Sequence, residues 1–76
     1  MLDAIVITSY YKTTPQRVSW IVVKRNAVLG SGFLMAQPGT DISVIQSNAL
    51  QAAEACARTH HPNDSFKVEY WEGVSP

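Results

Sequence analysis

Apolar residues run together in this chain where a half-buried strand would alternate them with polar ones. In AIVITSYY, residues 4–11, Ile5, Val6 and Ile7 are adjacent. In VSWIVVKR, residues 18–25, so are Trp20, Ile21, Val22 and Val23. Their content of β-branched and aromatic residues predicts strands over 3–11 and 18–24. Between them, KTTPQR (12–17) is a turn, because Pro15 has no amide donor and a fixed φ. KRNA (24–27) predicts a tight hairpin, since Asn26 tolerates the left-handed conformation. AVLGSGFLM (27–35) is a third strand, in which Gly30 and Gly32 signal a bulge or the close approach of another element.

Pro38 and Gly39 end this region, and the period then changes. Ile42, Ile45, Ala49, Ala52, Ala53, Cys56 and Ala57 recur at helical spacing. Ser43 followed by Gln46 has the form of a capping box, which predicts a helix from residue 43 or 44 to about 60, short of Pro62. FKVEYW (66–71) alternates, with Phe66, Val68 and Tyr70 on one side and Lys67, Glu69 and Trp71 on the other. The order β-β-β-α-β predicts a single α+β domain over 1–76, in two layers. These are a four-stranded, mainly antiparallel sheet and one helix packed on one of its faces. A last strand lying parallel beside the first implies a right-handed return.

The helix face is mostly alanine, so the large core side chains must come from the sheet. Alternation nominates Val6, Val18, Trp20, Val22, Leu34, Phe66, Val68 and Tyr70, but both phases of the first three strands are apolar and the pattern leaves their phase open. With Val6, Trp20 and Val22 turned to the helix, Ile5, Ile7, Tyr11, Ile21 and Val23 turn outwards, joined by Trp71. Burying one such aliphatic side chain contributes about 1.5–3 kcal/mol. Monomers seldom leave contiguous apolar patches above roughly 300–600 Å². The outer face is therefore expected to be covered, by a second copy in a homodimer, by another protein or by a ligand.

Composition sharpens this. A chain of 76 residues buries only about 60–65% of its unfolded surface. Its one cysteine, Cys56, allows no internal disulfide and suits a reducing compartment. Association remains as a source of stability. Six Lys and Arg balance six Asp and Glu, giving a net charge of zero. That argues against nucleic acid and against a polybasic membrane surface as partners. Charged residues are 16% of the chain, a sparse and neutral surface that favours association. Asp3 near the start and the short apolar run after it speak against a secretory signal or a membrane span, so a soluble cytoplasmic protein is expected.

The β-β-β-α-β order resembles the core half of the ribonuclease H fold, and also small antitoxin proteins of the HicB type. The ribonuclease H resemblance implies carboxylates from the first strand, the helix and the fourth strand gathered around divalent metal. Thr8 and Ser9 stand at the centre of the first strand instead, and Asp3 is at its extreme end. Glu54 lies off the apolar stripe, and Glu69 and Glu72 are near the chain's end. No enzyme, metal or cofactor is expected on these grounds. His60 and His61 read as a helix C-terminal cap favoured by the dipole. Cys56, with His60 four residues on, has the outline of a nucleophile pair, but a thiol on the apolar stripe is packing. GSG (30–32) lies within a strand, whereas phosphate cradles sit where a strand meets a helix.

The functional expectation is a non-catalytic protein-binding or regulatory module, self-associating, that engages another protein through its sheet face or a strand edge. Phage and mobile-element inhibitors of host machines such as CRISPR systems are modules of this kind. The alternative is an antitoxin-like or nucleic-acid-binding regulator with a truncated ribonuclease H-like fold lacking the catalytic carboxylates. It would use Lys12, Arg17, Lys24 and Arg25 beside Tyr10, Tyr11 and Trp20. The first two cations flank one turn and the last two the other, which places them at opposite ends of the sheet.

Overall fold

The computed structural model describes residues 3–10 and 16–73. Its elements are β1 (Ala4–Tyr10), β2 (Arg17–Lys24), β3 (Ala27–Met35), α1 (Ile42–His60) and β4 (Lys67–Glu72). They build one four-stranded sheet in the order β3-β2-β1-β4, with β4 parallel to β1 and the other neighbours antiparallel. This is the α+β architecture that the sequence pattern implies, with α1 on one face.

Turn chemistry fixes the connections. Lys24 pairs with Ala27, so Arg25 and Asn26 form a two-residue turn, with φ of 51° and 67°. Two positive φ values are the type I′ geometry, whose twist matches that of the strands. Asn26 suits it; for Arg25 the left-handed region costs about 1–2 kcal/mol. At the next break the Thr40 amide donates to Gln37 O at 3.0 Å across Pro38 and Gly39, and Gly39 carries φ 84°. That is the second central position of a type II turn, which glycine fills without steric cost.

The helix begins one to two residues earlier than the capping-box reading placed it. Asp41 is the N-cap, and its carboxylate accepts from the Ser43 amide at 3.0 Å. This bond holds the Asp41 carboxyl below its ordinary pKa. Gln46 reaches across to the sheet, where its Nε2 donates to Ser9 Oγ on β1 at 2.8 Å. At the other end the His61 amide donates to Ala57 O at 2.7 Å and closes the last turn.

Strand register settles which side of the sheet is inside. Ile5 opposes Val22, Ile7 opposes Trp20 and Ser9 opposes Val18. Directly opposed residues share a face. These side chains therefore lie beneath Ile45, Ala49, Ala53 and Ala57 of α1, and Val6, opposite Ile21, points away. Ile5 and Ile7 are 2% and 0% exposed. Their assignment to an outward partner-binding surface is thus corrected: they are core residues, and Val6, which had been grouped with Trp20 and Val22, is not.

β3 uses its glycines twice over. Val22 pairs with Gly30 and Val23 with Val28, so Leu29 is the extra residue of a bulge and packs against the core. Gly30 and Gly32 then admit large neighbours. A Cβ at Gly32 would lie 2.8 Å from the Trp20 indole, and one at Gly30 would lie 2.5 Å from Cys56 Sγ.

The helix sits off centre. It packs over β3, β2 and the near side of β1, and does not reach β4. Val68 and Tyr70, nominated for the core by alternation, are consequently 36% and 59% exposed. A groove of about 160 Å³ separates α1 from β4, walled by Ile5, Ala57, Phe66 and Val68. Among the described residues no helix is long and apolar enough to cross a membrane.

Candidate functional site

The face of the sheet turned away from α1 is covered by no described element. Pairing lays its side chains out in rows across the strands. One row runs Lys67, Ala4, Val23 and Val28. The next runs Glu69, Val6, Ile21 and Ser31. A third runs Trp71, Thr8, Ser19 and Phe33, and the last holds Tyr10, Arg17 and Met35. Val6, Ile21 and Val23 make a half-buried apolar centre on the two inner strands. Phe33 and Trp71, 61% and 58% exposed, stand at opposite edges, with Val28 and Met35 also exposed on β3.

A shallow depression of about 410 Å³ opens on this face, lined by Thr8, Tyr10, Arg17, Ser19, Ile21 and Phe33. The Arg17 guanidinium lies 4.6 Å from the centre of the Tyr10 ring, a cation–π distance that holds both side chains over the end of the sheet. Gly73 lets the Tyr10 ring settle against the end of β4, where any Cβ would collide with it. The surface thus combines an apolar centre, aromatic flanks and a small polar rim.

Of the residues expected to form a partner surface, Ile21, Val23 and Trp71 lie on this face. Ile5 and Ile7 lie beneath the helix, and Tyr11 falls outside the described residues. Val6, Val28, Phe33 and Met35 belong to the face and were not foreseen. Phe33 and Met35 were readable, since they alternate with Gly32 and Leu34; Val6 needed the register with Ile21.

The four candidate cations do not form a stripe. Lys12 falls outside the described residues. Arg17 sits on the Tyr10 ring and Arg25 at the opposite end of β2, in the hairpin turn. Lys24 turns into an ionic cluster instead: its Nζ lies 2.9 Å from Asp3 and 2.6 Å from Asp64, with the side chain 13% exposed. It ties the end of β2 to the start of β1 and to the loop before β4. His61 Nδ1 is 3.2 Å from the same Asp64 carboxylate.

The cluster makes stability depend on pH at both extremes. The hydrogen bond from Lys24 is the main cause holding Asp64 below the ordinary 3.8. Its stabilisation is therefore present above that value and is lost as pH falls through the lower folded-state pKa. Lys24 is raised above 10.5, first by its bond to Asp3 and then by that to Asp64. Its stabilisation is complete below 10.5 and is lost as pH rises through the raised value. Melting curves of wild type and Asp64→Asn should differ most near neutrality, and the gap should begin to close only below the ordinary 3.8. A gap that stays constant down to strong acid would show that this ion pair contributes no pH-dependent stability.

Groups with catalytic chemistry are dispersed. Cys56 Sγ packs toward Gly30, and His60 Nδ1 lies 3.0 Å from Cys56 O at the exposed end of the helix. Glu54 lies 3.6 Å from Arg58, Asp3 binds Lys24, and Glu69 and Glu72 project to opposite faces of β4. Thr8 and Ser9, at the strand centre, likewise point to opposite sides. Among the described residues no group of three or more His, Cys, Asp or Glu side chains is placed to hold a metal ion. Compared with known proteins, the chain matches no family model, no curated protein and no solved structure.

Proposed function

We propose that this chain is a non-catalytic protein-binding module that regulates its partner by occupying one of that partner's surfaces, with the outer sheet face as the docking site. One observation carries the reading: a four-stranded face with Val6, Ile21 and Val23 at its centre and exposed Phe33, Trp71, Val28 and Met35 around them has no cover within the described chain. Interfaces of this type draw their affinity from a few central apolar and aromatic anchors inside a polar rim. Here Ile21 is the central anchor and Phe33 an aromatic anchor at the β3 edge, with Thr8 and Ser19 as polar contacts between Phe33 and Trp71 and Arg17 at the end of the sheet. A chain with one cysteine, its thiol packed against Gly30, suits a reducing compartment such as the cytoplasm.

The test compares wild type with Ile21→Asp and Phe33→Asp, each checked for a native far-UV spectrum. A partner protein captured by wild type is purified and titrated against all three. Each substitution should weaken binding by roughly thirtyfold, the effect of a hot spot worth about 2 kcal/mol. The wild-type affinity should change little between low and moderate salt, unlike the steep loss expected of a nucleic-acid complex. Unchanged affinity in both folded variants would remove the outer face as the docking site.

A further inference from the structure

The edge of β4 that faces away from β1 is a surface distinct from the outer face. Among the described residues β4 has one neighbour in the sheet, β1. The Lys67 amide donates to Asp3 O at 3.1 Å and the Gly73 amide to Ser9 O at 2.8 Å, so the odd-numbered residues aim their backbone groups at β1. Val68 and Tyr70, and Phe66 before them, aim theirs at the open side. The two edges of the sheet differ. β3 is disrupted by its bulge at Leu29, a device that blunts an edge, and weakened by Gly30 and Gly32. Lys67–Glu72 contains no glycine, proline or bulge.

Residues 66–70, FKVEY, are complementary to themselves when reversed about Val68. Lay a second copy antiparallel on a two-fold axis through Val68. Lys67 then falls opposite the partner's Glu69, and Glu69 opposite the partner's Lys67, on the outer face. Phe66 falls opposite the partner's Tyr70 on the helix side, where Tyr70 is 59% exposed in the single chain. Lys67 and Glu69 fall in the closely spaced, non-hydrogen-bonded positions, where opposite charges attract most and like charges repel. Neither is engaged in an ion pair among the described residues. Neighbouring registers lose this match. An axis through Glu69 sets that carboxylate against its own copy, and an axis through Tyr70 sets Lys67 against the partner's Gly73 and Val68 against the partner's Glu72.

We propose that the chain self-associates through antiparallel β4–β4 pairing on a two-fold axis at Val68, which joins two four-stranded sheets into one continuous sheet. The interface is isologous, so each stabilising contact occurs twice. It leaves both outer faces open, and does not rest on their role as docking sites.

Sedimentation equilibrium of the full chain across a concentration series tests the proposal. Wild type should dimerise. Lys67→Glu sets like charges opposite each other at both ends of the pairing, and so does Glu69→Lys; each should weaken self-association by about tenfold or more. An equimolar mixture of the two variants pairs every glutamate at these positions with a lysine, and should recover dimers made of one chain of each. The double variant Lys67→Glu/Glu69→Lys should dimerise as wild type does. Ile21→Asp, on the outer face, should leave the dimer intact, which separates this result from the docking test. A monomeric wild type, single variants that dimerise unchanged, or a mixture that stays monomeric would each overturn the proposal.

Discussion

Ile7→Asp is expected to leave the chain unfolded at room temperature. Ile7 is fully buried, with Trp20 opposite it on β2 and α1 above. Its removal forfeits roughly 1.5–3 kcal/mol of apolar burial. Among the described residues the core cluster around it is apolar, and a buried unpaired charge costs several kcal/mol more, or must be protonated. Together these exceed the roughly 5 kcal/mol at the low end of domain stabilities, where a chain this small belongs. Val6→Asp, one residue away, faces outwards and should retain a native far-UV spectrum. Circular dichroism of the pair decides the matter: a folded Ile7→Asp beside an unfolded Val6→Asp would mean that the sheet's faces are reversed.

Gly30→Ala is the second large effect, and it comes with its own rescue. The added methyl would lie 2.5 Å from Cys56 Sγ, closer than carbon and sulfur can approach. The thiol must turn to another rotamer or the helix or β3 must shift, and overpacking of this kind costs up to about 1–3 kcal/mol. Alanine recovers part of that, since glycine inside a strand is itself unfavourable by about 0.5–1 kcal/mol. With Cys56→Ala in the same chain the sulfur is gone, and the nearest remaining atoms, Trp20 Cζ3 at 3.7 Å and Cys56 Cβ at 3.9 Å, are at ordinary contact. Urea denaturation should therefore show a loss for Gly30→Ala and a smaller loss, or none, when the same change is made in the Cys56→Ala background. Equal losses in both backgrounds would show that the thiol is not what excludes a side chain at residue 30.

Local chemistry was legible in the sequence because it depends on neighbours along the chain. The hairpin at KRNA, the turn at Pro38–Gly39, the full extent of β3 and the alternation within β4 all follow from residues a few positions apart. The faces of β1 and β2 were not legible, because Ile5, Val6 and Ile7 offer apolar side chains to both sides. Only the pairing of Val6 with Ile21, and of Ile7 with Trp20, decides between them. The helix start was ambiguous for a related reason. Asp41 and Ser43 are both capping residues, and the Gln46 that completed the sequence motif is held by Ser9, far away in the chain. The alanine stripe announced a close helix–sheet contact but carried no information on sideways position, so the exposure of Val68 and Tyr70 could not be foreseen. The outer face was read as a surplus of apolar surface. Its membership changed once Ile5 and Ile7 were found inside and Val6, Phe33 and Met35 outside. The ionic cluster of Lys24, Asp3 and Asp64 joins three segments that meet only in the finished topology.

The displacement of α1 toward β3 has a dynamic consequence. In the single chain β1, β2 and β3 are roofed by the helix, whereas β4 is held by one ladder to β1 and by the Lys24–Asp64 ion pair before its start, with no helix above it. Detaching it breaks that ladder and wets Val68 and Tyr70, which are already partly hydrated, while the packed alanines and Ile5, Ile7, Val18 and Val22 stay together. The single chain thus has two tiers of cohesion: a firm body, and a looser ribbon whose amides exchange through local opening, an opening that pairing with a second β4 would suppress.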